Sequence, residues 1–237
     1  MKRRGGRSRC GSSIPRSVSM MGIDTIVPAA GQGIRFGAEK QFYEVGGKPI
    51  LIYTLQMLSL IDRIGRIILV VSRPRIKRVR KMMEDYHIAK VKKIVAGGAR
   101  RIDSVRSGLK EVRSSLLLIH DAVRPLTSLR LVNRILDGLE RYNAVIPGLP
   151  IRDTIKEVGG GFVRRTIPRK GLYTVQTPQG FKTDLLKTAL RLVPDEDYTD
   201  EAQVLERAGL RVKIISGELT NIKVTDRKDI TLFKRLL

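Results

Sequence analysis

A three-layer α/β/α sandwich on a mostly parallel, twisted sheet, with a protruding β-arm, is the fold this sequence predicts. Apolar runs of strand length alternate with amphipathic stretches of helix length, the order expected of βαβ units. The runs are near-continuous, as in Ile67-Ile68-Leu69-Val70-Val71, which suits strands covered on both faces. Glycines and polar residues gather just beyond several of the runs, where an open parallel sheet collects its ligands.

Taken in order, strands are expected over residues 25–30, 66–71, 91–95, 116–120 and 144–149. Helices are expected around 50–60, 75–86, 102–112 and 129–142. From 152 to 173 the pattern changes to short alternating segments around Gly159-Gly160-Gly161, read as a hairpin with a loose turn. This is the arm, at about 151–173. Beyond it, helices at 183–192 and 199–208, a strand at 212–215 and a last helix from Asp226 resume the earlier alternation.

The 237 residues suit one large domain, taken as residues 22–237. Residues 1–21 carry Lys2, Arg3, Arg4, Arg7, Arg9 and Arg16 with no acid and nothing to bury, and are expected to be a disordered basic leader. No apolar stretch reaches the roughly 20 residues of a bilayer span, so no membrane partner is expected. The longest candidate, 49–61, is broken by Tyr53, Thr54, Gln56 and Ser59. Cys10 is the only cysteine, which excludes an internal disulfide framework or a cysteine-based zinc cluster and fits a reducing cytoplasm. The formal charge of +23 would attract polynucleotides as well as small anions. Aromatic residues make up only 5% with no Trp, so base-stacking platforms are scarce and no nucleic-acid partner is expected. Arg73, Arg75, Arg78 and Arg80 read as a solvated helix face.

The first strand runs into Ala29-Ala30-Gly31-Gln32-Gly33-Ile34-Arg35, with Lys40 just beyond. Gly31 and Gly33 let backbone N–H groups close on phosphate oxygens, and Arg35 and Lys40 supply the charge a triphosphate requires. A dinucleotide fingerprint is excluded by Phe36 and by Val71-Ser72-Arg73, which lacks the acid such a site places after its second strand. A Walker loop is excluded because Gly47-Lys48 is followed by Pro49. His120 reads as a packed strand-end residue, having no second histidine nearby. Asp153, flanked by Arg152 and Lys156, is expected to pair at the root of the arm.

Further along stand Gly97-Gly98-x-x-Arg101-x-x-Ser104, His120-Asp121-Ala122-x-Arg124-Pro125, Arg152-Asp153-Thr154, Gln176-Thr177-Pro178-Gln179, Thr199-Asp200-Glu201-Ala202 and Asn221-Ile222-Lys223-Val224-Thr225. Together with the glycine-rich opening and Lys40-Gln41, these resemble the 2-C-methyl-D-erythritol 4-phosphate cytidylyltransferase family over nearly everything from Ile23 onward. The resemblance implies a Rossmann-like nucleotidyltransferase fold and an enzyme of the non-mevalonate isoprenoid pathway. It would join CMP from CTP to methylerythritol phosphate, with Mg²⁺ as cofactor, as a homodimer whose β-arm reaches into the partner. It implies that Arg35, Lys40 and Lys223 brace the phosphates and that Ala29, Ala30, Gly31, Gly33, Gly98 and Ser104 line the nucleotide pocket. Asp121 is implied near metal and substrate, Arg124 and the threonines Thr177 and Thr199 on the substrate side, and Thr154 and Arg169 in the neighbour's site. Glu39 stands where the family usually has Pro, and Ala99 where relatives often place a polar or acidic residue.

These residue types suit the chemistry. Attack of one phosphate on another brings polyanions together, so fixed cations matter more than a general base, and no serine-histidine pair or carboxylate dyad is apparent. Ribitol 5-phosphate cytidylyltransferase, a sister family, shares several of the motifs. Arg152-Asp153-Thr154-Ile155-Lys156 and Thr199-Asp200-Glu201-Ala202 look more like the methylerythritol enzyme. A basic nucleic-acid-binding module is the remaining alternative.

Overall fold

Alternation along residues 67–71 decides the layering. Ile67, Leu69 and Val71 pack in one buried cluster with Leu51, Leu55, Val79 and Ile135, whereas Ile68 and Val70 pack in another with Val105, Leu186 and Val204. A strand whose successive side chains enter opposite cores must have helices on both sides. The computed structural model of the protein describes residues 22–31 and 39–237. The expected leader at 1–21, and Gly33 and Arg35 of the glycine-rich loop, lie outside those residues.

The first half comprises β1 (Ile23–Pro28), a small hairpin of β2 (Glu44–Val45) and β3 (Lys48–Pro49), α1 (Ile50–Ser59), β4 (Ile64–Val71), α2 (Ile76–Asp85), β5 (Val91–Ala96), α3 (Arg101–Leu109), β6 (Leu116–Ile119) and α4 (Leu129–Leu139). Then come β7 (Ala144–Pro150), the arm strands β8 (Ile155–Gly159) and β9 (Phe162–Ile167), β10 (Tyr173–Val175), β11 (Gln179–Lys182), α5 (Thr183–Leu192), α6 (Glu201–Arg207), β12 (Lys213–Ser216) and α7 (Arg227–Leu236). Among the described residues β5, β4, β1 and β6 are neighbours and all parallel. Next to β6 lies β11, antiparallel to both β6 and β7. Val145 pairs with Gly180 of β11 and with Lys213 of β12, so β12 occupies the far edge of β7, running parallel to it. The expected α/β sandwich is present, and the expected elements agree to within a few residues.

Besides the short β2–β3 hairpin, two strands were not legible. The stretch Tyr173–Val175 runs antiparallel along β7 and is followed on the same edge by Gln179–Lys182, with the Thr177–Pro178 peptide bond cis between them. Polar residues and Pro178 interrupt this segment, and only its neighbours make it a strand. The arm turn is tight rather than loose. Gly159 pairs with Phe162, leaving Gly160 and Gly161 as a two-residue loop with φ of +61° and +84°, a conformation that favours glycine. Asp153 is exposed and forms no ion pair among the described residues. Lys156 Nζ instead donates to Thr166 Oγ1 at 2.7 Å, and Arg169 donates to the carbonyl of Arg152.

Helix starts are fixed by side chains where the sequence offers them. Ser128 accepts from Leu131 N–H at 3.0 Å and Asp200 from Gln203 N–H at 3.0 Å, while Asp226 and Asp229 form a capping box on α7. A third cluster of Val45, Ile50, Val123, Val224, Ile230 and Phe233 fastens α7 over the hairpin and over the loop after β6. Among the described residues no helix is long and apolar enough to cross a membrane. Ile68 is fully buried at the sheet centre. Ile68→Ala should lower the unfolding free energy by about 2–5 kcal/mol in urea titration, through lost burial and the cavity left behind.

Candidate active site

The carboxyl ends of β1, β5 and β6 open onto one cleft. Its larger cavity, about 360 Å³, is lined by Ala29, Ala30 and Gly31 after β1, by Gly98, Arg100, Arg101 and Ser104 around the start of α3, and by Asp121 after β6. Lys40, Gln41, Lys223 and Thr225 complete it. A second cavity of about 200 Å³ is lined by Arg124, Gln176, Thr177, Gln179, Thr199 and Asp200. Arg101, Asp121 and Lys223 line both, so the two chambers share a wall of two cations and a carboxylate.

Close backbone approach shapes the larger chamber. A Cβ on Gly97 would lie 2.6 Å from both Ala30 Cβ and Ser104 Oγ, and one on Gly98 would lie 2.4 Å from Asp103 Cβ. Only glycine lets these loops meet. Gln41 spans the first loop, donating from Nε2 to the carbonyls of Ala29 at 2.9 Å and Gly31 at 3.0 Å. Glu39 pairs with Arg75 at 2.5 Å, so the residue standing in place of the family's Pro ties the end of the glycine-rich segment to the turn before α2.

Asp121 is the electrostatic centre. Lys223 Nζ lies 3.0 Å and Arg124 Nε 3.3 Å from its Oδ2, with Arg101 Nη2 3.8 Å from Oδ1. Burial alone would push this carboxyl upward. The three cations, Lys223 foremost, outweigh it and hold the group well below the usual carboxylate range. Arg101 is itself gripped by Glu201 in a two-point pair at 2.5 and 3.1 Å, and Glu201 is 0% exposed. Burial pushes the Glu201 carboxyl up, against the pull of Arg101.

Beneath Asp121 lies a hydrogen-bond chain. Thr177 Oγ1 accepts the Asp121 N–H at 3.0 Å, so its own proton goes to His120 Nδ1, 3.0 Å away. That leaves His120 Nε2 to donate to the Arg124 carbonyl at 3.2 Å. Asn221, fully buried, accepts from Thr127 Oγ1, donates to the Thr177 carbonyl and receives Arg124 Nη1 on its own carbonyl at 2.8 Å. His120 is a packed residue, as expected, and it orients the loop that carries Asp121.

The structure thus gathers Ala29, Ala30, Gly31, Gly98, Ser104, Lys40, Asp121 and Lys223 around one chamber, with Arg124, Thr177 and Thr199 at the other. Thr154 and Arg169 sit exposed on the arm and line neither chamber. Sequence reasoning assigned no role to Arg101, Gln179, Asp200 or Thr225. All four stood inside the sequence motifs, and a polar residue at fixed spacing from Gly98, Thr177, Thr199 or Lys223 was the signal available.

A mostly parallel sheet with a cation-walled, two-chambered cleft at its carboxyl edge defines an α/β nucleotidyltransferase. The family model for 2-C-methyl-D-erythritol 4-phosphate cytidylyltransferase matches residues 23–237, and the chain belongs to that family. It is similar to the 2-C-methyl-D-erythritol 4-phosphate cytidylyltransferase of Geobacillus thermodenitrificans, 39% identical over 222 residues that cover 92% of this chain and 97% of that one. It is also similar to the bifunctional enzyme IspD/IspF of Desulfotalea psychrophila, 38% identical over 216 residues and 90% of this chain. It spans only 56% of that longer protein. The crystal structure of 4-diphosphocytidyl-2C-methyl-D-erythritol synthase from Anaerococcus prevotii superposes with a TM-score of 0.78 at 32% identity, covering 92% of this chain and 98% of that one.

Burial lowers the His120 pKa from 6.5 to about 4. The folded protein keeps the ring neutral where the unfolded chain takes up a proton, so this contribution is complete above pH 6.5 and is lost as the pH falls toward 4. Urea unfolding between pH 7 and pH 4 should register a loss of about 3 kcal/mol from this residue. The stability of His120→Gln should fall less steeply over the same interval.

Proposed function

We propose that this chain transfers CMP from CTP to 2-C-methyl-D-erythritol 4-phosphate, giving 4-diphosphocytidyl-2-C-methyl-D-erythritol and pyrophosphate in the non-mevalonate route to isoprenoids. The observation that carries this reading is the wall shared by the two chambers. A reaction between two phosphates needs both held on either side of common cations, and Arg101 and Lys223 border both spaces. On this reading the larger chamber takes the nucleotide, with Ala29, Ala30, Gly31, Gly98 and Ser104 around base, ribose and phosphates, and Gly33 is assigned to the phosphates by resemblance alone. The smaller takes the polyol phosphate, with Arg124 and Lys223 near its phosphate and Thr177 and Thr199 along its lining.

An oxygen of the polyol phosphate attacks the α-phosphorus of CTP. A new P–O bond forms, the α–β bridging P–O bond breaks, and the electron pair leaves with pyrophosphate. A phosphate monoester is already a nucleophile, so no side chain has to remove a proton. What the protein supplies is charge held in place where it develops.

That charge is limited. Around Asp121 two carboxylates face three cations, which leaves one net positive charge beside a space proposed to hold a triphosphate. Arg35 and Lys40, placed by resemblance at the phosphates, add two more. Mg²⁺ fits the remainder, since Asp121 is ionised and lines both chambers, and this ion commonly binds through one or two carboxylates plus substrate phosphates. Among the described residues no group of three or more His, Cys, Asp or Glu forms a protein-only cage. When bound, Mg²⁺ neutralises charge on the reacting phosphates.

The working form on this reading is a cytoplasmic homodimer. The arm forms its own two-stranded sheet, with Phe162 80% exposed, Val163 61% and Val158 56%. Isolated two-stranded ribbons with bare apolar side chains are marginal in water. A second copy covering them would bring Thr154 and Arg169 toward its cleft. Phe162→Asp should shift the mass measured by light scattering from dimer to monomer. An unchanged mass would remove the arm from the interface.

Pyrophosphate release from CTP should require methylerythritol phosphate, and Lys223→Ala should lower kcat/KM by on the order of 10²-fold in protein that still unfolds cooperatively. Turnover with ribitol 5-phosphate in its place would move the assignment to the sister family. No turnover with either would overturn it.

A further inference from the structure

Buried polar side-chain atoms are nearly always hydrogen-bonded, and each exception calls for a reason. Among the described residues three have no partner: Thr25 Oγ1, Arg134 Nε and Gln179 Oε1. Only Gln179 belongs to a residue lining either chamber of the cleft. It opens β11, is 1% exposed, and donates Nε2 to Asp200 Oδ2 at 2.7 Å. That bond settles which end of the amide is nitrogen, because a carboxylate can accept and cannot donate. Asp200 is fixed in turn by capping α6 through Gln203. An acceptor oxygen is therefore held beside the smaller chamber with nothing to accept from.

The neighbouring polar groups are already committed. Gln176 Oε1 accepts the Glu218 N–H at 3.0 Å, and its Nε2 donates to the Glu218 carbonyl at 2.8 Å. Thr177 spends its hydroxyl on Asp121 and His120. Thr199 Oγ1 lies 3.1 Å from Gln203 Oε1, to which it donates. Lys223, Arg124 and Arg101 are donors only. Gln179 Oε1 is the complement of these cations: it repels a phosphate oxygen and needs an O–H.

We infer that Gln179 Oε1 accepts a hydroxyl of the polyol chain in the smaller chamber and is a specificity residue for the hydroxylated part of that substrate. The inference rests on the proposed cytidylyl transfer and extends it, dividing the chamber into a cationic side for the phosphate and an acceptor side for the carbon chain. A site built to hydrogen-bond a substrate hydroxyl discriminates strongly, because an analogue without it leaves the buried group unpaired.

Steady-state kinetics on the full chain test this, with the wild type read first. Gln179→Met keeps the length and removes the acceptor. It should raise KM for methylerythritol phosphate by tenfold or more, with KM for CTP within about twofold of the wild type. A structural role alone would move both constants, or only the unfolding midpoint. If Gln179→Met does not fold, Gln179→Asn, which withdraws the oxygen by one methylene, should give the same split. An active wild type with an unchanged polyol KM in the folded variant overturns this inference and leaves the transfer reaction standing. An equal rise in both KM values overturns it as well. An inactive wild type overturns both readings.

Discussion

Taking a carboxylate out of water costs several kcal/mol unless opposite charge goes with it, and at Asp121 three cations from three parts of the chain do so. The dependence runs both ways. Lys223, Arg101 and Arg124 would repel one another if crowded around an apolar cleft, and the carboxylate lets them stand together before any anion arrives. Arg101 is located a second time by Glu201, and Arg124 by the Asn221 carbonyl. Positive charge fixed in this way needs little rearrangement when phosphates enter, and that is the economy on which electrostatic catalysis depends.

The supporting shell explains residues that otherwise look idle. His120, Thr177 and Asn221 form a buried polar network whose members are nearly all satisfied within the protein, and such networks rigidify when complete. Thr177 lines the smaller chamber, yet its hydroxyl is occupied in orienting Asp121. Its contribution is to where the charge sits. Gln179, two residues on, lines the same chamber and is in the opposite condition.

The sandwich could be read from sequence because its signals are local. A buried parallel strand declares itself in runs such as Ile67–Val71, and the polar loops fall at strand ends by the rule that governs open sheets. The strands β10 and β11 could not be read this way, since Pro178 and the polar residues around it break the pattern and their pairing with β7 and β6 is a property of distant neighbours. The site divides similarly. Motif spacing marked Asp121, Lys223 and Gly98, but the Arg101–Glu201 pair joins residues a hundred positions apart, and nothing local to either names the other. Gln179 is harder still, because what singles it out is a bond it does not make.

The chain's last helix has a bearing on how the cleft comes into being. Val224 is buried under α7 and donates its N–H to the Val123 carbonyl, so the lysine beside it is positioned from the C-terminal side of the fold. The cleft is complete only with α7 closed over the hairpin: loosening that packing would draw Lys223 away from Asp121 while the sheet and the other two cations stay in place.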